Sequence, residues 1–247
     1  MELCIIINNY NSMTSGLTSF KTQDICAPED QLGEDGKDGK TYVVKLKSDA
    51  RGNYNGDLFS LTQNTDIAVK TFKPKKSTNK IKKEAEFQSA ASKVGISPPV
   101  YGVNLEERYI VMQKLASLPA KDYAKQELPL DMQYQLCALM VRLDSIGVLH
   151  GDMNALNVML NEDCRPYMID YGFAKKITNK VKTKHGQHPN IRVTLWGLVR
   201  GFKRYKVTAS VMNDCVEAYF AGGDISEWIN RGEELLSLRP KKKRKRK

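Results

Sequence analysis

The chain has 247 residues, with 39 Lys and Arg against 28 Asp and Glu. Eight of those basic residues lie in 239–247, leaving 31 against 28 for everything before, so the basic balance describes a tail more than a surface. Five cysteines (Cys4, Cys26, Cys137, Cys164, Cys215) form no CxxC and leave an odd count, which argues against a disulfide framework or a zinc site, and no apolar stretch is long enough to span a bilayer.

Leu3 to Ile7 is a short apolar run without a basic segment before it, too short for a signal-peptide core, and reads as a strand. Residues 8–31 read as an irregular lead-in, so 1–31 form an N-terminal extension. The first ordered domain is expected from Leu32 to Met112. It opens with a turn carrying Gly33, Gly36 and Gly39, followed by a strand from Tyr42 to Leu46. Glycines let backbone N–H groups approach phosphate oxygens with no Cβ in the way. A plain surface turn has the same composition.

Residues 48–64 read as a polar insertion. Ile67 to Phe72 alternates as a strand, with Lys70 set to neutralise phosphate charge if its face turns toward the glycine turn. A helix is predicted from Thr78 to Lys93, ended by Gly95. On it Glu84, three residues before Phe87, is the candidate ion-pair partner of Lys70, with Glu86 in reserve. Residues 98–103 and 108–112 complete a small antiparallel sheet. Gln113 to Leu115 form a linker of the kind that gives adenine an apolar slot and backbone hydrogen bonds.

Beyond the linker, the periodicity of residues 131–143 predicts a helix whose stripe of Met132, Leu136, Leu139, Met140 and Leu143 is core. The run from His150 to Asn157 then carries Asp152 and Asn157, and Asp170 follows before Tyr171 and Gly172. Val158–Leu160 and Pro166–Ile169 read as a hairpin around Asn161–Cys164, which returns Asn157 and Asp170 to one edge. Two oxygen-bearing side chains there suit a magnesium ion that keeps phosphates as its other ligands. His185 and His188 lack an acid or cysteine at useful spacing and read as a polar loop. The basic residues of 180–206 read either as a solvated face or as a docking surface for an acidic peptide or nucleic acid. Two closing helices are expected from Val207 to Phe220 and from Ile225 to Leu238, with Trp228 packed inward.

This series resembles the protein-kinase-like superfamily, in particular the compact atypical kinases of the RIO and Bud32 type. His150-Gly151-Asp152 is also similar to the aminoglycoside and choline phosphotransferases. The resemblance covers roughly residues 32–175. It implies an α+β, two-lobed fold with a small antiparallel-sheet N-lobe over 32–112 and a reduced, mainly helical C-lobe over 113–238. It implies ATP and Mg²⁺, or Mn²⁺, as cofactors. Asp152 would be the catalytic-loop aspartate, Asn157 and Asp170 the metal ligands, and Lys70 and Glu84 the phosphate lysine and its helix partner. Met112 falls at the gatekeeper and Gln113 to Leu115 at the hinge. Ala68, Val43 or Val44, and Met159 would sandwich the adenine. His150 would hold the loop rather than act as a base.

The expected activity is serine/threonine protein kinase, including a kinase of viral origin. The alternatives are a small-molecule phosphotransferase of the aminoglycoside or choline type, or a nucleotide-binding scaffold without catalysis. Departures bear on the substrate. Asn154 stands where many protein kinases carry lysine, no Ala-Pro-Glu follows Gly172, and Thr194 occupies the aspartate position of the Trp196-Gly197 helix. The run 239–247 reads as a disordered tail serving either as a nuclear import signal or as a nucleic-acid contact. Expected partners are a protein substrate and, through the tail, nucleic acid or an import receptor, with no membrane association. The expected location is the nucleus or cytoplasm of a eukaryotic cell, or the host cell or virion for a viral kinase.

Overall fold

The computed structural model describes residues 25–32, 38–117, 126–152 and 154–238; the first strand expected at 3–7, Gly33, Gly36 and the basic run 239–247 lie outside them. The chain divides into two compact units, with cuts at Ser89/Ala90, Pro98/Pro99 and Lys114/Leu115. The first is rich in strands and the second mainly helical, a two-lobed α+β architecture consistent with the protein-kinase-like fold.

In the first unit the strands are β1 (Asp30–Leu32), β2 (Gly39–Lys45), β3 (Ala50–Tyr54), β4 (Asp57–Leu61) and β5 (Asp66–Phe72). Helix α1 (Thr78–Lys93) and strands β6 (Val100–Asn104) and β7 (Tyr109–Gln113) follow. Five of the strands form one sheet in the order β1-β2-β5-β7-β6, antiparallel throughout. The period-2 alternation of β5 sorts its side chains onto two cores. Ile67 and Val69 join Val44, Leu46 and Val111 on one face. Ala68 and Phe72 join Ile81, Ala85, Ile110 and Met112 on the other, under α1.

Three features differ from the sequence reading. The sheet starts inside the expected lead-in, because β1 pairs with β2 and Ile25 bridges Leu46. Backbone pairing of an edge strand leaves little trace in composition. The 48–64 insertion is a folded hairpin of β3 and β4, turning on Asn55 (φ 50°) and Gly56 (φ 93°). Asn53 Oδ1 accepts from Gly56 N at 2.7 Å, and Tyr54 is fully buried with Ile81 and Ala85. Asn-Gly is the residue pair such a tight turn requires. Finally, β2 begins at Gly39, three residues before the strand expected from Tyr42.

In the second unit β8 (Ala116–Ser117) precedes α2 (Leu130–Ser145), which buries the predicted stripe and also Gln133, Cys137 and Ala138. Then come β9 (Val148–Leu149), β10 (Val158–Leu160), β11 (Pro166–Met168) and β12 (Lys175–Lys176). Helices α3 (Asn179–His185), α4 (Trp196–Arg204), α5 (Ser210–Phe220) and α6 (Ser226–Ser237) close the chain, with a π-helical turn at Ile191–Leu195 leading into α4. Trp228 is half-buried rather than sequestered. The backbones of α6 and α2 come close at Gly232, where a Cβ would stand 2.1 Å from Tyr134 O.

Candidate active site

Lys70 lies in β5 opposite Thr41 of β2 and Ile110 of β7. It shares the sheet face of Ala68 and Phe72, which α1 covers, so its ammonium is delivered to that helix. Glu84 of α1, 2% exposed, accepts from Lys70 Nζ at 2.6 Å through Oε1. Its other oxygen, Oε2, accepts from Lys76 Nζ at 2.5 Å. Glu86 stands exposed beside Lys82 at 4.0 Å. Residues three and four apart share a helix face while those two apart do not, so Glu84 and Glu86 are separated by helix geometry alone.

Lys76 was not singled out in the sequence, where it reads as one more residue of a basic loop. It is 5% exposed, lies 4.6 Å above the Phe72 ring and stands 3.4 Å from Asp38 Oδ2. Its backbone is fixed by Arg108, whose guanidinium donates to the carbonyls of Lys73 (3.2 Å), Pro74 (3.0 Å) and Lys76. Each oxygen of this buried carboxylate thus has an ionic hydrogen bond in place of water.

The register of β2 bears on two expected nucleotide contacts. Val44 lies on the opposite face from Ala68, packed with Leu46 and Ile67; the β2 residue directly across from Ala68 is Val43. A one-residue shift along a strand reverses the face. Gly39 is a ladder residue opposite Phe72, and a Cβ there would stand 1.9 Å from Thr71 O. Close strand approach explains that glycine without a phosphate. Met112 is buried on the face of Ala68, with Gln88 Nε2 3.3 Å from its sulfur, while Gln113 is exposed. In the second unit Leu115 is buried, and Met159 is half-buried opposite Ser117 of β8.

The second unit carries the loop from His150. Gly151 has φ 83°, and a Cβ there would stand 2.7 Å from Phe173 O, so the loop depends on a glycine at this point. Asp152 is exposed, and its carbonyl accepts from Asn157 Nδ2 at 2.8 Å. That bond occupies the amide nitrogen of Asn157 and leaves Oδ1 as the atom suited to a cation. Asn154 Oδ1 accepts from Leu156 N at 2.8 Å and caps the short 155–157 turn.

The predicted hairpin pairs Val158 with Met168, and Ile169 N donates to Asn157 O at 3.0 Å. Asp170 thus follows directly on the residue hydrogen-bonded to Asn157. Its backbone is left-handed (φ 64°), with Oδ1 accepting from Gly172 N at 3.3 Å. Asn and Asp tolerate this conformation because a short polar side chain bonds back to the chain. One carboxylate and one carboxamide are hard oxygen donors, a set that fits a magnesium ion drawing its remaining ligands from phosphates and water.

His150 is fully buried, with Nε2 3.0 Å from Ile169 O and its ring 4.7 Å from that of Tyr171. It ties the loop to the far end of the hairpin, a holding role. Tyr171 is buried as well, and burial pushes its phenol far above the usual range. Asn190, also fully buried, is the residue the sequence reading missed. Its Nδ2 donates to Asp144 Oδ1 and to Val148 O, both at 2.7 Å, while its Oδ1 accepts from His150 N (3.2 Å) and Thr194 Oγ1 (2.8 Å). The sequence points to Thr194 for this position, but the loop is held one helical turn earlier. An Asn directly before a helical apolar run was the available signal.

A family model for the RIO domain matches residues 33–186. The chain belongs to the RIO domain family. This membership supports a general ATP-dependent phosphotransfer chemistry of kinase type. The chain is also 29% identical over 99 residues to the mitogen-activated protein kinase HOG1 of Hortaea werneckii, a match covering 36% of this chain and 27% of that protein. The chain thus aligns with about a quarter of that relative's length. No helix among the described residues is long and apolar enough to cross a membrane.

Proposed function

We propose that this RIO-domain chain is a protein kinase that transfers the γ-phosphoryl group of ATP to serine or threonine hydroxyls. The observation that carries this reading is the second unit's loop. The side chain of Asn157 closes onto the Asp152 carbonyl, and the hairpin bonds Ile169 N, one residue before Asp170, to Asn157 O. Lys70, anchored by Glu84, supplies the positive charge for the α- and β-phosphates.

In this mechanism Asp152 orients the acceptor hydroxyl and takes its proton as the new O–P bond forms. The bond between the γ-phosphorus and the bridging oxygen breaks, and ADP leaves with that electron pair. Asn157 and Asp170 would hold a magnesium ion, which would supply charge neutralisation for the phosphates. His150 and Asn190 keep the loop backbone in place, so that Asp152 meets the hydroxyl without a further conformational cost. Asn154, in the place where many protein kinases carry a lysine, brings no charge; its oxygen is used to cap the 155–157 turn.

The test is transfer of labelled phosphate from ATP with Mg²⁺ or Mn²⁺ to a protein acceptor, for wild type and Asp152→Ala. The expected result is a fall in kcat of about 10²–10⁴, the usual contribution of a positioned general base, with little change in nucleotide affinity. Equal transfer by both proteins removes Asp152 from its role. Turnover of a small alcohol with no protein labelled replaces this reading with the aminoglycoside or choline type.

A further inference from the structure

The basic residues of this chain are segregated. From Tyr171 to Asn213 there are ten Lys and Arg and no Asp or Glu. Outside that stretch and the terminal run 239–247, 21 basic residues face 28 acidic ones, a net acidic balance in sum, although residues 67–83 hold seven Lys and no Asp or Glu. An ordinary solvated face mixes both signs, because unpaired like charges repel and lower stability.

The structure shows how this stretch is presented. Helix α3 has no buried residue, yet Lys180, Lys182 and Lys184 all project from it into solvent. Lys180 and Lys184 are four apart, a like-charge spacing that disfavours a helix. The helix is secured at its ends: Thr178 Oγ1 accepts from Val181 N at 3.4 Å, and the Tyr219 hydroxyl donates to His185 O at 3.2 Å and accepts from His188 N at 2.8 Å. The side-chain imidazole of His185 is held below its usual range by burial and then by the charges of Lys184, Arg192 and Lys175. Three separate elements therefore contribute to one positive field.

Exposed aromatic rings lie within the same stretch and beside it. Arg192, Trp196 and Arg200 recur every four residues through the π-helical turn into α4, and all three are exposed. The Arg200 guanidinium lies 4.6 Å from the Trp196 ring, and that of Arg192 lies 5.0 Å from Phe220. Trp196 is 42% exposed and Phe220 45%. The opposite side of α4 buries Leu198, Gly201 and Phe202, with Gly201 against the Asn154–Ala155 backbone. The helix thus anchors on the loop through one face and leaves its arginine–aromatic face open.

We propose that this face of the second unit binds single-stranded nucleic acid, with the α3 lysines on phosphates and Trp196 and Phe220 on bases. An acidic peptide would be matched by charge alone. Open rings flanked by guanidinium groups offer a stacking surface that suits the π-face of an unpaired base. The inference is independent of phosphotransfer, since none of these residues serves the proposed reaction.

The test is fluorescence anisotropy of labelled oligo-U and oligo-dT 20-mers with the full chain, in a background where the basic residues of 239–247 are glutamine. The triple variant Lys180→Gln, Lys182→Gln, Lys184→Gln should weaken binding at least tenfold and flatten the dependence of log K on log salt by about 2, because three phosphate contacts on a single strand are lost. Trp196→Ala should weaken single-strand binding by about 5- to 150-fold at unchanged salt slope, the range for one stacked base. Circular dichroism checks the fold of each variant. Emission of Trp196 in a Trp228→Phe chain, where it is the sole tryptophan, should be quenched on binding. Binding unaltered by both sets of variants overturns the proposal. So does equal affinity for a duplex that ignores Trp196→Ala, and so does stronger competition by polyglutamate than by oligonucleotide, which would make the partner an acidic protein.

Discussion

Glu84 divides its two carboxylate oxygens between Lys70 and Lys76, and all three side chains are largely withdrawn from water. In such a group each charge depends on the others for the hydrogen bonds that replaced hydration. Glu84→Gln keeps the volume but removes the charge that holds the Lys70 ammonium. A charge-assisted hydrogen bond is worth about 1.5–3 kcal/mol, so kcat/KM for ATP should fall roughly 10- to 150-fold. Glu86, exposed at the surface beside Lys82, should tolerate the same change with less than about a twofold effect, as exposed pairs contribute little. Steady-state kinetics of the two variants would check this, and the opposite ranking would place Lys70's working partner at Glu86.

At the scale of elements, the second unit depends on how closely α6 approaches α2. Gly232 makes that approach possible: a Cβ there would stand 2.1 Å from Tyr134 O and 2.7 Å from the Ala138 methyl. Arg142 of α2 holds the same helix by its ion pair with Glu233 and donates to Val94 O at 3.1 Å. Gly232→Ala would gain helix propensity in isolation, by about 1 kcal/mol. In this packing the backbone oxygen cannot yield, so the two helices must separate. The expected outcome is a net loss of about 1–3 kcal/mol, the usual cost of overpacking, read as a lower denaturant midpoint with a similar slope. A stabilised variant would show that the approach is looser than the distances indicate.

At the scale of the whole molecule, Lys70 belongs to one unit and Asp152, Asn157 and Asp170 to the other, so the part of each in nucleotide binding is tested separately. A ligand bound only by the native protein stabilises it by mass action, by about 2.7 kcal/mol at a hundredfold excess over Kd. ATP with Mg²⁺ should therefore raise Tm in the full chain. Asp170→Asn should remove the Mg²⁺-dependent part of that rise, and Lys70→Met should reduce the rise from nucleotide itself. Differential scanning fluorimetry with ATP, with and without Mg²⁺, distinguishes the two effects. A Tm shift identical in wild type and both variants would detach nucleotide binding from these residues.

What the sequence alone determined was local. Periodicity placed α1 over Thr78–Lys93 and nearly all of α2, and the turn between Leu160 and Pro166 placed the hairpin, because those signals arise within a window of a few residues. Asn55-Gly56 is an equally local signal for the β3–β4 hairpin, one that the polar composition of 48–64 hides. Only the tertiary structure decided which β2 valine shares a face with Ala68, since strand register is fixed by pairing rather than composition. The same holds for Lys76 and Asn190. One reads as a solvated lysine and the other as a loop residue until the fold brings each against buried partners distant in sequence. A buried polar group is defined by the atoms that replace its water, and those atoms are set by packing rather than by neighbours along the chain.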